Sequence, residues 1–494
     1  MNCIDLQKNK IIMSPLLIII VLLAYFGSLF VISYLTGRNA NNESFFIGNR
    51  KSPWYLVAVA MIGTSISGVT FISVPGEVGF NQFAYMQMVL GFFFGYLVIA
   101  KVLLPIYYKY RLTSIYTYLE GRFGRVSYKT GSAFFLLSRV IGCSFRLFLM
   151  ASVLQLAVFD AWHIPFELTV AVIMVLILLY TFKGGIRTIV WTDTLQTLFM
   201  ITALIITIVA VKNSLGLSIG QVVSEIRNSD YSRMWFFDNP KEKTFFWKQF
   251  LSGMFITIVM TGLDQDMMQK NLSCRNLKDA QKNMYWYSAA FVPINLLFMS
   301  LGALLYIFAT RNGIEVPAQT DNLYPMLATQ GYLPPIVALF FVVGLVAAAY
   351  SSADSALTAL TTAFSIDILE IEKRNLDDAQ QTKLRKRVHI GIAMLVCVVI
   401  IIFNRLNDRS VISAIYTIAG YTYGPLLGLY AFGLFTKYAV RDRWVWLVAL
   451  ISPVVCVVLN KLAPILLDGY KMGYELLIIN GALTFLGLWI LRKK

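Results

Sequence analysis

The chain has 494 residues, is 58% hydrophobic and only 14% charged, and has a mean hydropathy of +0.68. A soluble globular protein carries about 25% charged residues, so a water-facing surface of this size is excluded; apolar runs near 20 residues recur from end to end and predict an all-α polytopic membrane protein. In such a chain the net charge of +16 reads as membrane orientation rather than nucleic-acid binding.

The first apolar run, near 15–36, is long enough to span, and no A-x-A-like site follows it, so it is expected to be retained rather than cleaved. The second, 53–75, runs into "MIGTSISGVTFISVPGEVGF". Gly63, Gly68, Pro75 and Gly76, with Thr64, Ser65, Ser67 and Thr70, make a poor continuous helix. Two outcomes stay open: a kink repaired by the hydroxyls, or a break lining a cavity, with freed carbonyls that bind an ion.

The third span is 83–107. The fourth, 130–158, carries Arg139 and Arg146. A charged side chain at a helix centre costs about 2.5–3.5 kcal/mol on insertion scales, so these residues are functional candidates. Arg146 is mid-span among apolar neighbours. Its planar fork suits a carboxylate; the alternatives are an ion pair with a neighbouring helix and a snorkelling side chain. Arg139 is nearer the inside end and reads as structural. Spans five and six, 165–182 and 188–212, follow. Asp193, at the start of the sixth, is either a helix-start carboxylate favoured by the dipole or an ion ligand facing the ninth span. The outer connection 213–245 predicts an amphipathic helix and a loop.

The seventh span, 246–265, ends at Asp264 and Asp266, and the eighth is 284–310. The ninth, 335–368, contains "AAAYSSADSALTAL". There Ser351, Asp354 and Ser355 share a face at i, i+3, i+4, and Ala348 and Ser352 share an overlapping one. Short oxygen-bearing side chains suit a hard cation such as sodium. The competing reading is a small-residue packing stripe whose serines bond their own i−4 carbonyls. Spans near 388–404, 410–435, 443–462 and 473–491 bring the count to about 13.

With the N-terminus outside and the C-terminus cytoplasmic, the inside segments hold twice as many Lys and Arg as the outside ones, as the positive-inside rule requires. Lys270 counts among the inside loop charges. Cys3, Cys143, Cys274, Cys397 and Cys456 show neither metal spacing nor a disulfide framework. His163 and His389 belong to no H-E-x-x-H or similar motif, so an enzyme is not expected. No filter loop points to a channel.

The segments "FFIGNRKSPWYLVAVAMIGTSISGVTFI", "FKGGIRTIVWTDTLQ", "GLDQDMMQKNLSCRNLKDAQKN", "DNLYPMLA", "SSADSALTALTTAFSIDIL" and "GYTYGPLLGLYAFG", in this order over nearly the whole chain, resemble the sodium:solute symporter family, with its LeuT-type fold. The resemblance implies a ten-helix core of two inverted five-helix repeats, 53–212 and 246–435. They are joined by the extracellular loop 213–245, preceded by an N-terminal segment and helix (1–52), and followed by two C-terminal helices (436–494). An odd number of spans per repeat inverts the second repeat by necessity.

The resemblance places a first sodium site at the carbonyls of Gly63, Ile66 and Ala348 and the hydroxyls of Ser351 and Ser352. A second site, present in some relatives, maps to Asp193, Ser351, Asp354 and Ser355; those relatives commonly carry Ser or Thr where this chain has Asp354. The pattern of Ser65, Ser67, Thr70, Gln87 and Arg146 resembles the sialic acid transporter subgroup, in which the Arg holds the sugar-acid carboxylate. The expected function is sodium-coupled symport of a small polar solute into the cell by alternating access, with a carboxylate-bearing sugar acid such as sialic acid as the leading solute and a neutral sugar or amino acid as the alternative. Expected partners are sodium, the solute and the lipid bilayer, with no nucleic acid. The protein is expected to act as a monomer in the plasma membrane, which in a bacterium is the inner membrane. One charge crossing 100 mV is worth about 2.3 kcal/mol. A monoanion carried with one sodium gains nothing from the potential, which is the physical reason to expect two ion sites.

Overall fold

The computed structural model describes residues 15–38, 42–406 and 411–493. The N-terminal segment with Cys3, Lys8 and Lys10, and Arg409 among the outer charges, lie outside the described residues.

Hydrocarbon offers no partner for a backbone N–H or C=O, so the apolar runs satisfy themselves as helices. In chain order these are α1 (Pro15–Gly37), α2a (Trp54–Ser65) and α2b (Gly68–Asn81), α3 (Tyr85–Lys109), α4 (Arg125–Leu154), α5 (Phe166–Phe182) and α6 (Gly185–Ser214). They continue as α7a (Phe246–Gly262) and α7b (Gln265–Leu272), α8 (Leu277–Arg311), α9 (Pro335–Ala363), α10 (Asp378–Leu406), α11a (Val411–Thr422) and α11b (Gly424–Phe435), α12 (Val445–Leu466) and α13 (Leu476–Ile490). Among the described residues 8 helices qualify by length and composition as membrane spans, or up to 10 with each bent pair taken as one. The shorter apolar helices α5, α11b and α13 fall where the remaining three spans are expected.

Among the described residues two spans bend by more than 40° at a break, five apart in chain order. α2 bends by 55° between Ser65 and Gly68, and α7 by 64° between Gly262 and Gln265. The break in α2 is set by Ile66 and Ser67; Pro75 sits inside α2b without ending it, and the helix runs on to Asn81. Likewise α7 does not stop at 265: α7b extends to Leu272 with every residue buried. Asp264 starts α7b, its Oδ1 accepting the Asp266 N–H at 2.9 Å. The run α5–α6 turns at Gly185 (φ 51°, ψ −142°), where a Cβ would also strike Phe45.

The centre of the molecule is α9. Over its most apolar stretch 83% of residues are buried, against 22% for α1 and α12 at the periphery. Small residues such as Ala347, Ala348 and Ala349 let the α5–α6 run, α4 and α2a approach it closely. On α12, Leu450, Ile451, Val454 and Val458 point outward, as lipid-facing residues should. The Asp442 carboxylate accepts the N–H groups of Val126 (2.9 Å) and Ser127 (2.8 Å) at the start of α4, fastening the C-terminal helices to the core.

Candidate functional site

α2a ends at Ser65, and Ile66 leaves helical geometry (φ −81°, ψ 75°). The Ile66 N–H still bonds the Ile62 carbonyl at 2.9 Å; the next backward bond is from Phe71 N–H to the Ser67 carbonyl at 3.0 Å. The carbonyls of Gly63, Thr64, Ser65 and Ile66 thus form a helix C-terminus inside the protein, with the negative end of the dipole turned inward. Gly63 permits the close approach of α2a to α6: a Cβ there would press on the Thr197 hydroxyl and the Asp193 carbonyl.

α9 packs against this break. Ser352 donates its hydroxyl to the Thr64 carbonyl at 3.2 Å. Further along the same helix, Thr361 and Thr362 bond back to the Leu357 and Thr358 carbonyls, at 2.6 and 2.8 Å. Ser351 Oγ is buried without a well-formed hydrogen bond among the described residues, although it neighbours the Asp193 carboxyl. Back-bonding therefore does not account for Ser351 and Ser352. Short oxygen donors from two helices converge here, the donor set of a hard monovalent cation.

A second cluster adjoins the first. Asp193 on α6 is fully buried, and its Oδ2 accepts from Thr64 Oγ1 at 3.0 Å and from Ser355 Oγ at 3.2 Å. The same oxygen lies 2.6 Å from Lys270 Nζ, on α7b, in an ion pair whose two side chains are both 0% exposed. Lys270 also bonds Thr64 Oγ1. Lys270 is therefore not a loop charge: α7b folds back into the protein and carries it inside. Asp354 does not bond Asp193. It accepts from Tyr180 Oη at 2.9 Å and from the Ser355 N–H at 2.5 Å, so its carboxylate turns toward α5.

Arg146 lines a cavity of about 80 Å³ with Thr64, Ser65, Thr70, Tyr85, Tyr96, Arg139, Thr257, Met260, Phe291 and Tyr416. It has no ion-pair partner among the described residues, and its Nε is buried and unbonded. Arg139, seven residues earlier, pairs with Asp266 and lies 3.8 Å from Asp264, whose Oδ2 also accepts from Tyr423 Oη at 2.6 Å. Ser65 Oγ joins Tyr287 Oη at 2.6 Å, and Tyr287 joins Tyr96 Oη at 2.6 Å, forming a hydroxyl chain along one wall. Ser67 is buried at the N-cap of α2b and does not line the cavity. Gln87 does not join it either. Its Nε2 donates to the Thr244 carbonyl at 2.9 Å and its Oε1 accepts the Phe236 N–H at 3.0 Å, so it holds the 213–245 connection in place.

A larger hollow of about 560 Å³, lined by Glu77, Asn81, Lys243, Gln249, Asn460 and Tyr474 among others, shares Tyr85 and Tyr416 with the inner cavity. The two tyrosine hydroxyls meet at 3.2 Å between the two spaces.

The model of the sodium:solute symporter family matches residues 45–442. The chain belongs to this family. Among relatives of the symporter, the sodium/sialic acid symporter NanT of Aliivibrio fischeri is 24% identical over 436 residues, covering 85% of this chain and 83% of that protein. The sodium-coupled monocarboxylate transporter 1 of Mus musculus is 25% identical over 420 residues, covering 82% of this chain and 66% of that protein. A solved structure of a Na+-coupled sialic acid symporter, in a substrate-bound, outward-open state, superposes with a TM-score of 0.81 at 19% identity, covering 96% of this chain and 97% of that one, which establishes the fold. Sodium is the coupling ion of the symporter, and the oxygens at the α2 break and on α9 fit it.

Two participants escaped the sequence. Lys270 looked like one of four closely spaced loop cations, and only the 64° bend of α7 places it inside. Tyr416 stands in an apolar run with no charge or motif to single it out.

Proposed function

We propose that this symporter carries a carboxylate-bearing sugar acid, with sialic acid as the leading candidate, into the cell together with sodium. Arg146 is the observation that carries this reading. A guanidinium at membrane depth, facing a cavity and lacking an acidic partner among the described residues, calls for an anionic ligand. Ser65 and Thr70 supply hydroxyls beside it, and the similarity to the sodium/sialic acid symporter of Aliivibrio fischeri supports the solute class. The first sodium binds the Gly63, Ile66 and Ala348 carbonyls and the Ser351 and Ser352 hydroxyls. Asp193, Ser351 and Ser355 form a second cation position, with Asp354 behind it on Tyr180.

The hollow of about 560 Å³ is the outer vestibule. Most of its lining falls in segments 77–85, 243–249, 416–420 and 472–476, all on the side that the charge pattern makes extracellular. The inner cavity, about 80 Å³, is well below the roughly 300–1,000 Å³ of ordinary ligand sites. The conformation is therefore contracted around the solute site, and Tyr85 and Tyr416 must part to admit a sugar. Residues 53–212 and 246–435 act as the two inverted repeats that rock against each other. The protein works as a monomeric transporter of the plasma membrane, not as an enzyme, with its N-terminus outside and its C-terminus in the cytoplasm.

The small cavity favours one second reading, a short monocarboxylate held by the same Arg146; the similarity to the mouse sodium-coupled monocarboxylate transporter supports it. Uptake into proteoliposomes under a sodium gradient tests both. Competition by sialic acids but not by lactate-sized acids, neutral sugars or amino acids is the expected result. Competition by neutral solutes alone would overturn the carboxylate reading.

A further inference from the structure

Lys270 lies where the sodium ligands of α6, α9 and α2a converge. Its Nζ, 2.6 Å from Asp193 Oδ2, joins the Thr64 and Ser355 hydroxyls on one carboxylate oxygen. Among the described residues the other oxygen, Oδ1, is buried without a well-formed hydrogen bond, as is Ser351 Oγ, which neighbours this carboxyl. Two carboxylates, Asp193 and Asp354, and one ammonium make up this buried group. A lysine ammonium is a compact unit charge that takes oxygen partners, and sodium makes the same demands. Both draw on the same Asp193.

We propose that Lys270 is the resident cation of the second ion position: its ammonium competes with sodium for Asp193, and while it is seated the protein binds one sodium rather than two. This rests on the sodium-symport reading above and adds the ion count. The arrangement is held by four elements at once. Lys270 comes from α7b, Asp193 from α6, Thr64 from α2a and Ser355 from α9, so the ammonium also clasps the two broken helices against the pair that carries the other ligands. The consequence reverses the sequence-based expectation of two ions. A monoanion that travels with one sodium moves no net charge, and the membrane potential then drives nothing.

The test is radioactive sodium binding to the purified full-length transporter in detergent, with thermal shift against sodium as a second readout. Wild type, Lys270→Gln, Lys270→Arg and Lys270→Gln/Asp193→Asn are compared. The expected stoichiometry is one sodium for wild type and Lys270→Arg, two for Lys270→Gln with a Hill coefficient rising from near 1 toward 2, and one again for the double variant. In proteoliposomes an inside-negative potential should stimulate anion uptake by Lys270→Gln and leave wild type unmoved. Two sodium ions bound by wild type would overturn the proposal whether or not the variants fold, as would a folded Lys270→Gln that binds only one. Sodium binding by none of the proteins would instead overturn the symport reading, and this inference with it.

Discussion

Ser352 on α9 gives its hydroxyl to the Thr64 carbonyl on α2a, 3.2 Å away, and so ties the central helix to α2a two residues before its break at Ile66. A neutral hydrogen bond is worth about 0.5–1.5 kcal/mol net, too little to explain a polar pair at the heart of the fold. A sodium ligand explains it better. Ser352→Ala should therefore leave the protein folded while raising the half-saturating sodium concentration for uptake by roughly tenfold or more, the factor that about 1.4 kcal/mol of lost binding gives. Ser352→Thr keeps the oxygen and should stay near wild type. An unchanged sodium dependence in Ser352→Ala would count against the first ion site.

Arg146 should be far more sensitive to truncation than its exposure suggests. Removing one partner of a desolvated charge pair costs about 2–5 kcal/mol, so Arg146→Ala should weaken solute binding by roughly 30-fold or more. Arg146→Lys keeps the charge but loses the fork, and should raise KM with a smaller fall in kcat. Solute protection against thermal unfolding provides the check. Full binding by Arg146→Ala would mean that the cavity reads something other than a carboxylate.

The helices and the α2 break were legible in the sequence because lipid leaves an apolar run few conformations, and because Gly63, Ser67 and Gly68 weaken a helix locally. Asp193, Ser351, Ser352 and Arg146 stood out because polar groups at membrane depth are rare. Lys270 was not legible. A lysine five residues beyond an expected helix end looks like any loop charge, and only the fold back at Asp264 makes it a buried partner. Asp354 was legible as a buried carboxylate but its partner was not, since helical spacing fixes the face of α9 and not which of two adjoining carboxyl-binding partners, Tyr180 or the Asp193 cluster, takes the side chain. Gln87 was misassigned for a similar reason: a polar residue early in a span served a loop rather than the cavity.

Arg139 and Arg146 should part company in stability. Arg139 is buried against Asp266 and Asp264, and breaking a buried pair by removing one member costs about 3–5 kcal/mol. Arg139→Leu should strongly lower the thermal unfolding temperature of the detergent-solubilised protein. Asp266→Leu added to it should recover part of the loss, because one stranded carboxylate disappears. Arg146→Leu, with no ion pair to break among the described residues, should unfold close to the wild-type temperature. Equal losses for the two arginines would show that Arg146 has a structural counter-charge after all.

Tyr85 and Tyr416 separate the vestibule from the inner cavity by one hydroxyl contact of 3.2 Å. If that contact helps hold the outer door shut, its loss shifts the population by about 1 kcal/mol, roughly fivefold. Tyr416→Phe removes one hydroxyl and keeps the ring, so it isolates the bond from the packing. A cysteine placed at Thr70, which lines the inner cavity, reports the opening through its reaction rate with a membrane-impermeant thiol reagent added from outside. That rate should rise about fivefold in Tyr416→Phe, and further in Tyr416→Ala, where the ring itself is gone. Saturating solute should slow it in all three backgrounds by filling the cavity. A rate that ignores Tyr416 yet still falls with solute would place the door elsewhere on the route.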